Sequence, residues 1–236
     1  PAYQTTGSDR DSFASTNSVY QIFRLIARIS PMVVNRYADG SYGSVSDGNP
    51  IAWIDSDANA MRRTTNLLAM GSAKYYILPE LSVKGTFAYN EHNYSRTDHA
   101  IQAKYRSGVQ GTTFAAQRYS NYDRITFDAT PEYKKSFGMH NLDALAGFHS
   151  EIYKYRYTYA YREGMANDIV TDINAGSSAT AKAEGYTREL SMLSWFGRIS
   201  YDYAGKYLFE INARYDGSSR FQKENRWGFF PSVSAG

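Results

Sequence analysis

YLFEINARYDGSSRF, Tyr207 to Phe221, is the stretch that decides the fold. Its odd positions Tyr207, Phe209, Ile211, Ala213 and Tyr215 are apolar or aromatic, while Glu210, Asn212, Arg214 and Asp216 after Leu208 are polar. A period of two marks a strand with one apolar face. An aromatic ring stands at each end of that face. At ~3.3 Å per residue and ~45° tilt the face climbs about 19 Å, close to the outward apolar band of a transmembrane barrel strand. Its polar face then looks into a lumen.

Working outward, SWFGRISYDY (Ser194 to Tyr203) and the turn Ala204-Gly205-Lys206 complete a hairpin. Upstream, Leu67, Ala69, Gly71, Ala73, Tyr75 and Ile77 form one face against Asn66, Ser72 and Lys74. Leu78-Pro79-Glu80 turns the chain into Leu81, Val83, Gly85, Phe87 and Tyr89, which alternate with polar or small residues. A polar stretch from Glu91 to about Gln117 reads as a long loop. The next strand sets Arg118, Ser120, Tyr122, Arg124, Thr126, Asp128, Thr130 and Glu132 inward, against Tyr119, Ile125, Phe127, Ala129 and Tyr133. After a turn from Lys134 to Met139, Leu142, Ala144, Ala146 and Phe148 alternate again, and Glu163 to about Thr187 reads as a second long loop.

Short turns thus fall at one end of the strand array and long loops at the other, as periplasmic turns and extracellular loops do in outer-membrane barrels. The fold class expected is all-β, an antiparallel transmembrane β-barrel segment of about seven strands within a larger barrel. Residues 62–236 are expected to supply strands, turns and loops, and residues 1–61 an extracellular loop region with one short amphipathic helix. Val19, Ile22, Phe23, Ile26 and Ile29 recur at helical spacing, with Asn17 or Ser18 as cap and Ser30-Pro31 as stop. The alternative is a soluble carbohydrate-binding or carbohydrate-processing β-sandwich, which buries the apolar face between two sheets.

Composition leaves the barrel open and closes other classes. Twenty-two tyrosines and a 16% aromatic content are high for a soluble domain. Mean hydropathy is −0.54, and no run approaches the length of a transmembrane helix, but barrel strands hide their hydrophobicity in alternation. The absence of cysteine excludes disulfides, thiolate metal sites and a cysteine nucleophile. A net charge of +3 without a basic tract gives no footprint for nucleic acid. PAYQTTGSDRDSFASTNS lacks signal-peptide features and FFPSVSAG ends within a strand, so the sequence reads as an internal segment.

Chemistry-bearing motifs are few. His92, His99, His140 and His149 offer no HExxH pair, although His92 and His99 share one expected loop. Asp39-Gly40, Asp47-Gly48 and Asp172-Ile173-Asn174 fit turns rather than calcium loops. No serine sits on a nucleophile elbow. No catalytic residue, metal or cofactor is expected.

SWFGRISYDYAGKYLFEINARYDGSSRFQKENRWGFFPSVSAG, Ser194 to Gly236, resembles the strand, turn, strand, DGSSRF loop and FPS strand of the SusC/RagA family of TonB-dependent outer-membrane transporters. Weaker likenesses are YADGSYG followed by Asn49-Pro50, and KKSFGMHNLDALAGF. The resemblance implies a plugged barrel of about 22 strands in the outer membrane of a Gram-negative bacterium. It also implies energy from TonB through a plug region missing here, a SusD-like surface lipoprotein as partner, contact with outer-membrane lipid, and oligosaccharide or peptide cargo.

Within that frame, Trp53 and Tyr94 are candidate ligand contacts, with Tyr153, Tyr155, Tyr157, Tyr159 and Tyr161 as a ladder on one strand face. Unbroken alternation from Leu142 turns the ladder inward, whereas a bulge near Ser150 reverses it. The family-motif loop Asp216, Gly217, Ser218, Ser219, Arg220 and Phe221 reads as structural. Gly217 permits a positive φ, the serines satisfy local backbone, and Arg220 pairs with Asp216. Trp227, Phe229 and Val233 read as girdle and lipid face. Arg118, Arg124, Arg198 and Arg214 facing Asp128, Glu132, Glu210 and Asp216 read as charge ladders that hold a plug.

Overall fold

The fold comes from a computed structural model, which describes residues 18–43, 48–55, 58–165 and 170–236. Seven strands form one sheet in the order β1 (Asn59–Tyr76), β2 (Leu81–Ala100), β5 (Phe114–Phe137), β6 (His140–Glu163), β7 (Lys182–Tyr203), β8 (Tyr207–Ser218) and β9 (Trp227–Ala235). A separate ribbon pairs β3 (Ala103–Tyr105) with β4 (Gly108–Gln110). Helices α1 (Ser18–Arg28) and α2 (Pro50–Asp55) precede the strands. The expected helix is therefore present, while its alternative cap Asn17 lies outside the described residues.

Tight connections join β1 to β2, β5 to β6 and β7 to β8. The second is shorter than the sequence indicated, because β5 and β6 run to Phe137 and from His140 and leave only Gly138-Met139 between them. Gly138 takes φ +62° there, and Ala204 and Gly205 take +55° and +66° in the third turn, where Asp202 Oδ1 accepts from Gly205 N at 2.9 Å. The left-handed region costs a residue with a side chain about 1–2 kcal/mol, so Ala204 is held by its bonds rather than by preference. Its N–H donates to Met139 O at 2.7 Å.

Both expected long loops are corrected. β2 continues to Ala100, the β3–β4 ribbon follows, and β5 already starts at Phe114. Likewise β7 starts at Lys182, after short 3-10 turns at Ile173–Ala175 and Ser178–Thr180. These strand extensions lack apolar alternation, while backbone hydrogen bonds, which need no hydrophobic period, still pair them, and polar side chains add cross-strand bonds. Asn121 Nδ2 donates to Asn93 Oδ1 at 2.8 Å, and Arg156 Nη1 donates to Asn121 Oδ1 at 2.6 Å and Asp123 Oδ2 at 2.7 Å. Helix α2 also had no sequence signal, being only six residues long.

The chain divides into two compact units. The first comprises residues 1–64, 94–120 and 157–186. Its small core joins Tyr42, Ala52, Ala103 and Tyr105, with the two tyrosine rings 6.2 Å apart. Asn49, fully buried, explains the Asn-Pro of the sequence. Its Nδ2 donates to Asn35 O and Gly43 O, both at 3.2 Å, and its Oδ1 accepts from Ile51 N at 2.9 Å across the start of α2. One side chain thus satisfies three backbone groups, of which Gly43 O is buried. Burial pushes the Tyr42 phenol above its ordinary pKa, reinforced by its hydrogen bond to Asp55 Oδ2 at 3.1 Å. Burial also raises Tyr105.

The second unit comprises residues 65–93, 121–156 and 187–236. The β7–β8 register pairs Trp195 with Tyr215, Ile199 with Ile211 and Tyr203 with Tyr207, while β8–β9 pairs Ile211 with Val233 and Tyr215 with Phe229. All these residues share one face. On the other, Arg198 pairs Asn212 and Ser200 pairs Glu210. The apolar face stays open, with Trp195 54%, Ile199 51%, Phe229 62% and Val233 65% exposed. A sandwich requires a second sheet over such a face. Among the described residues the only other sheet is the two-stranded ribbon.

Candidate functional site

In the second unit, aromatic rings gather at two levels of the apolar face. Near the tight turns, Phe137 stacks on His140 at 5.4 Å, His140 meets Tyr203 at 4.9 Å, and Tyr203 stacks on Tyr207 at 6.4 Å. At the far end Phe148 meets Trp195 at 4.7 Å and Tyr215 stacks on Trp227 at 4.8 Å. Tyr203 to Trp195 along β7 climbs about 19 Å at ~3.3 Å rise and ~45° tilt. Two girdles bounding an apolar band of this height are the surface pattern of a membrane barrel.

The polar face carries the charges, with partners partly different from those expected. Arg214 and Asp216 pair as the sequence indicated, through Nε at 2.6 and 2.9 Å from the two carboxylate oxygens. Arg198 reaches Asp143 at 3.6 Å, Arg124 reaches Glu151 at 3.8 Å, and His149 Nδ1 lies 2.7 Å from Asp128. Glu132 is held between Lys134 at 2.7 Å and Lys74 at 3.2 Å. Phe196, also on this face, sits over Gly147, where a Cβ would lie 2.1 Å from the ring.

The DGSSRF loop departs from its sequence assignment in two ways. Gly217 is extended, and its missing side chain makes room for Trp227, whose ring a Cβ would meet at 2.8 Å. Asp216 is taken by Arg214, so Arg220 is exposed and makes no ion pair among the described residues. The serines do bind backbone. Ser219 Oγ accepts from Ser191 N at 2.8 Å, and Ser219 N donates to Ser191 O at 2.9 Å.

The tyrosine ladder lies on the polar face, since β6 alternates without interruption. In the second unit Tyr153 packs on Tyr122 at 4.8 Å; Tyr155 lies on the same strand face. In the first unit Tyr157 meets Tyr186 at 5.3 Å, Tyr161 meets Phe114 at 5.3 Å, Arg118 lies 5.1 Å over the Tyr159 ring, and Lys182 lies 4.8 Å over Tyr161. Nearby, Asp98 is buried between Arg96 Nε at 2.7 Å and Arg118 Nη1 at 3.0 Å. This charged cluster anchors Arg118 against the rings, and nothing in the sequence pattern marked it. Tyr94 falls within β2 rather than a loop, with Arg62 5.6 Å over its ring. Trp53 lies on α2, with its side chain outside the described residues. His92 and His99, seven apart on β2, take opposite faces. Among the described residues no three His, Asp or Glu side chains gather as a metal site.

No protein-family model matches the chain. It is 30% identical over 210 residues to TonB-dependent receptor P3 of Formosa agariphila, covering 87% of this chain and 21% of that protein. It is 27% identical over 176 residues to TonB-dependent receptor SusC of Bacteroides thetaiotaomicron, covering 69% of this chain and 16% of that one. In fold it is similar to a chain of the RagAB peptide transporter, with a TM-score of 0.71 and 22% identity over 86% of this chain and 22% of that one. An 'open-open' state of the RagAB peptide importer gives the same TM-score at 21% identity, covering 89% of this chain and 23% of that one. The chain thus spans about a fifth of the length of these relatives. With the two-faced sheet and its girdles, the similarity identifies the chain as a barrel-wall segment that belongs to the SusC/RagA family of TonB-dependent outer-membrane transporters.

Proposed function

We propose that this chain is part of the wall of a TonB-dependent importer, not an enzyme, in the outer membrane of a Gram-negative bacterium. In this reading residues 62–236 supply wall strands with short periplasmic turns, residues 1–61 supply extracellular loop structure, and a SusD-like lipoprotein works with the assembled protein. The cargo is an oligosaccharide or a peptide. The observation that carries the proposal is the sheet with an exposed, girdled apolar face and a charged opposite face, in a chain similar to TonB-dependent receptors. Such a sheet needs lipid on one side and an aqueous or plugged interior on the other.

Tyr157, Tyr159, Tyr161 and Tyr186 are the proposed cargo contacts, because ring faces bind sugars and peptide side chains alike and here stand on the polar face. In cells carrying the full-length gene, deletion abolishes uptake of the cognate labelled oligosaccharide or peptide, and so does loss of TonB. Changing Tyr157, Tyr159 and Tyr161 together to Ala lowers cargo binding while assembly stays normal. Undiminished uptake in the deletion strain contradicts the importer, and unchanged binding in the triple variant removes the tyrosines from the site.

A further inference from the structure

The β8–β9 connection carries three cations, Arg220, Lys223 and Arg226, and one acid, Glu224. β8 has only 12 residues, which climb about 28 Å at ~3.3 Å rise and ~45° tilt, against an apolar band of about 25 Å. The loop that follows therefore begins at the outer edge of the band, directly past the Tyr215–Trp227 stack. By contrast β6 and β7 run for 24 and 22 residues. On the face that carries the apolar band, two of their cations are neutralised within the wall. Lys154 pairs with Glu189, and Arg156 Nη1 lies 2.7 Å from Asp123.

In the loop, Arg220, Lys223 and Arg226 make no ion pair among the described residues, although Glu224 is close in sequence. Arg220 and Lys223 are exposed beside an exposed Phe221, and Arg226 Nε is out of solvent without a hydrogen-bond partner. The loop backbone is nevertheless fixed. Ser218 N donates to Arg226 O at 3.0 Å, Ser219 is tied to Ser191, and Lys223–Asn225 form a 3-10 turn. Cations and a ring held in a fixed frame at the rim of an apolar band match the chemistry of a lipid surface whose headgroups carry phosphate.

We infer that Arg220 and Lys223, with Phe221, form a docking site for the phosphate-bearing headgroups of the outer leaflet. Three features point to that occupant: the height of the loop, the excess of positive charge and the continuity with the aromatic girdle. The inference rests on the outer-membrane reading above. It divides the DGSSRF motif into a half that builds the loop, Asp216 to Ser219, and a half that the loop presents.

The test uses the full-length transporter purified in mild detergent and mixed with dioleoyl phosphatidylglycerol or dioleoyl phosphatidylcholine. Lipids retained on the folded protein are counted by native mass spectrometry. Wild type retains phosphatidylglycerol preferentially, and excess inorganic phosphate does not displace it, which distinguishes a headgroup site from a free-phosphate site. Arg220→Ala and Lys223→Ala each weaken retention about fivefold, and the double variant abolishes the preference. Lys206→Ala, in a turn at the opposite end of β8, leaves it unchanged. Resistance of the folded barrel to sodium dodecyl sulfate checks that each variant assembles. Equal retention by wild type and the double variant overturns the inference, as does unchanged lipid retention with loss of a co-purifying lipoprotein. A wild-type protein that stays soluble without detergent and retains neither lipid instead overturns the outer-membrane reading.

Discussion

The two units of the chain distribute polar and apolar side chains in opposite ways. The first keeps Asn49, Arg96 and Asp98 inside, where the bonds of Asn49 to backbone and of Asp98 to its two arginines compensate their burial. The second leaves Trp195, Ile199, Phe229 and Val233 in the open and concentrates its ion pairs on the other face of the same sheet. A protein in water minimises exposed apolar area and pays for buried charges with partners. The first unit gives buried Asp98 two cationic partners, whereas the second exposes apolar side chains along a whole sheet face. On the proposed outer-membrane reading the two units meet different solvents, and substitutions of the same chemical kind should have different effects in each.

The largest effect is expected in the first unit. Asp98→Ala removes the buried carboxylate shared by buried Arg96 and half-buried Arg118, at a cost of about 3–5 kcal/mol. In the full-length protein, hydrogen exchange near Arg96 and Arg118 should accelerate while resistance of the barrel to sodium dodecyl sulfate persists. Loss of both together would make the units one cooperative body.

A charge on the apolar face of the second unit comes next. Ile199→Arg should destabilise the assembled barrel by about 2–4 kcal/mol, the cost of a cation near the middle of a lipid-facing surface. Ser200→Arg, one residue on and facing Glu210, should cost under about 1 kcal/mol. Denaturant titration of the two variants in lipid vesicles measures the difference, and equal costs would erase the distinction between faces.

Packing on the polar face should matter less than either. Gly147→Ala drives a methyl group into the Phe196 ring and should cost about 1–3 kcal/mol unless the ring moves. Adding Phe196→Ala should recover part of that loss in a double-mutant cycle. Additive costs would show that the ring and the glycine do not depend on each other.

The smallest effect is a pH dependence. Hydrogen bonds from Ser41 Oγ at 2.6 Å and Ser41 N at 3.0 Å hold the Asp39 carboxyl below its ordinary pKa. A depressed folded pKa means the contribution is present above the unfolded pKa, near 3.8, and lost as pH falls through the folded value. Protease resistance of the 37–42 turn should hold at pH 5 and decline only in stronger acid, and Asp39→Asn should abolish that acid step.

The sequence was most legible where one sheet face is apolar and the other polar. Alternation along Tyr207 to Tyr215 identified β8 and its apolar face, because a strand with one apolar face must repeat every second residue. Between Glu91 and Gln117 the pattern disappeared although the strands continued, since cross-strand pairs such as Asn93 with Asn121 need no hydrophobic period. The side taken by the tyrosine ladder depended on whether a bulge interrupted β6 near Ser150, a backbone property that composition does not encode. Gly217 was recognised as special for the wrong reason. Its value lies in the space beneath Trp227, a contact between adjacent strands that no local rule reveals.

The central claim is that the odd positions of β7 and β8 face lipid while the even positions face the barrel interior. Spin labels placed singly at Ile199, Ser200, Ile211 and Asn212 of the full-length transporter, reconstituted in lipid vesicles, test it directly through their accessibility to oxygen and to a water-soluble nickel chelate. High oxygen accessibility and low nickel accessibility are expected at 199 and 211, with the ratio reversed or both low at 200 and 212. Equal ratios at all four positions, or lipid exposure at 200 and 212, would contradict it.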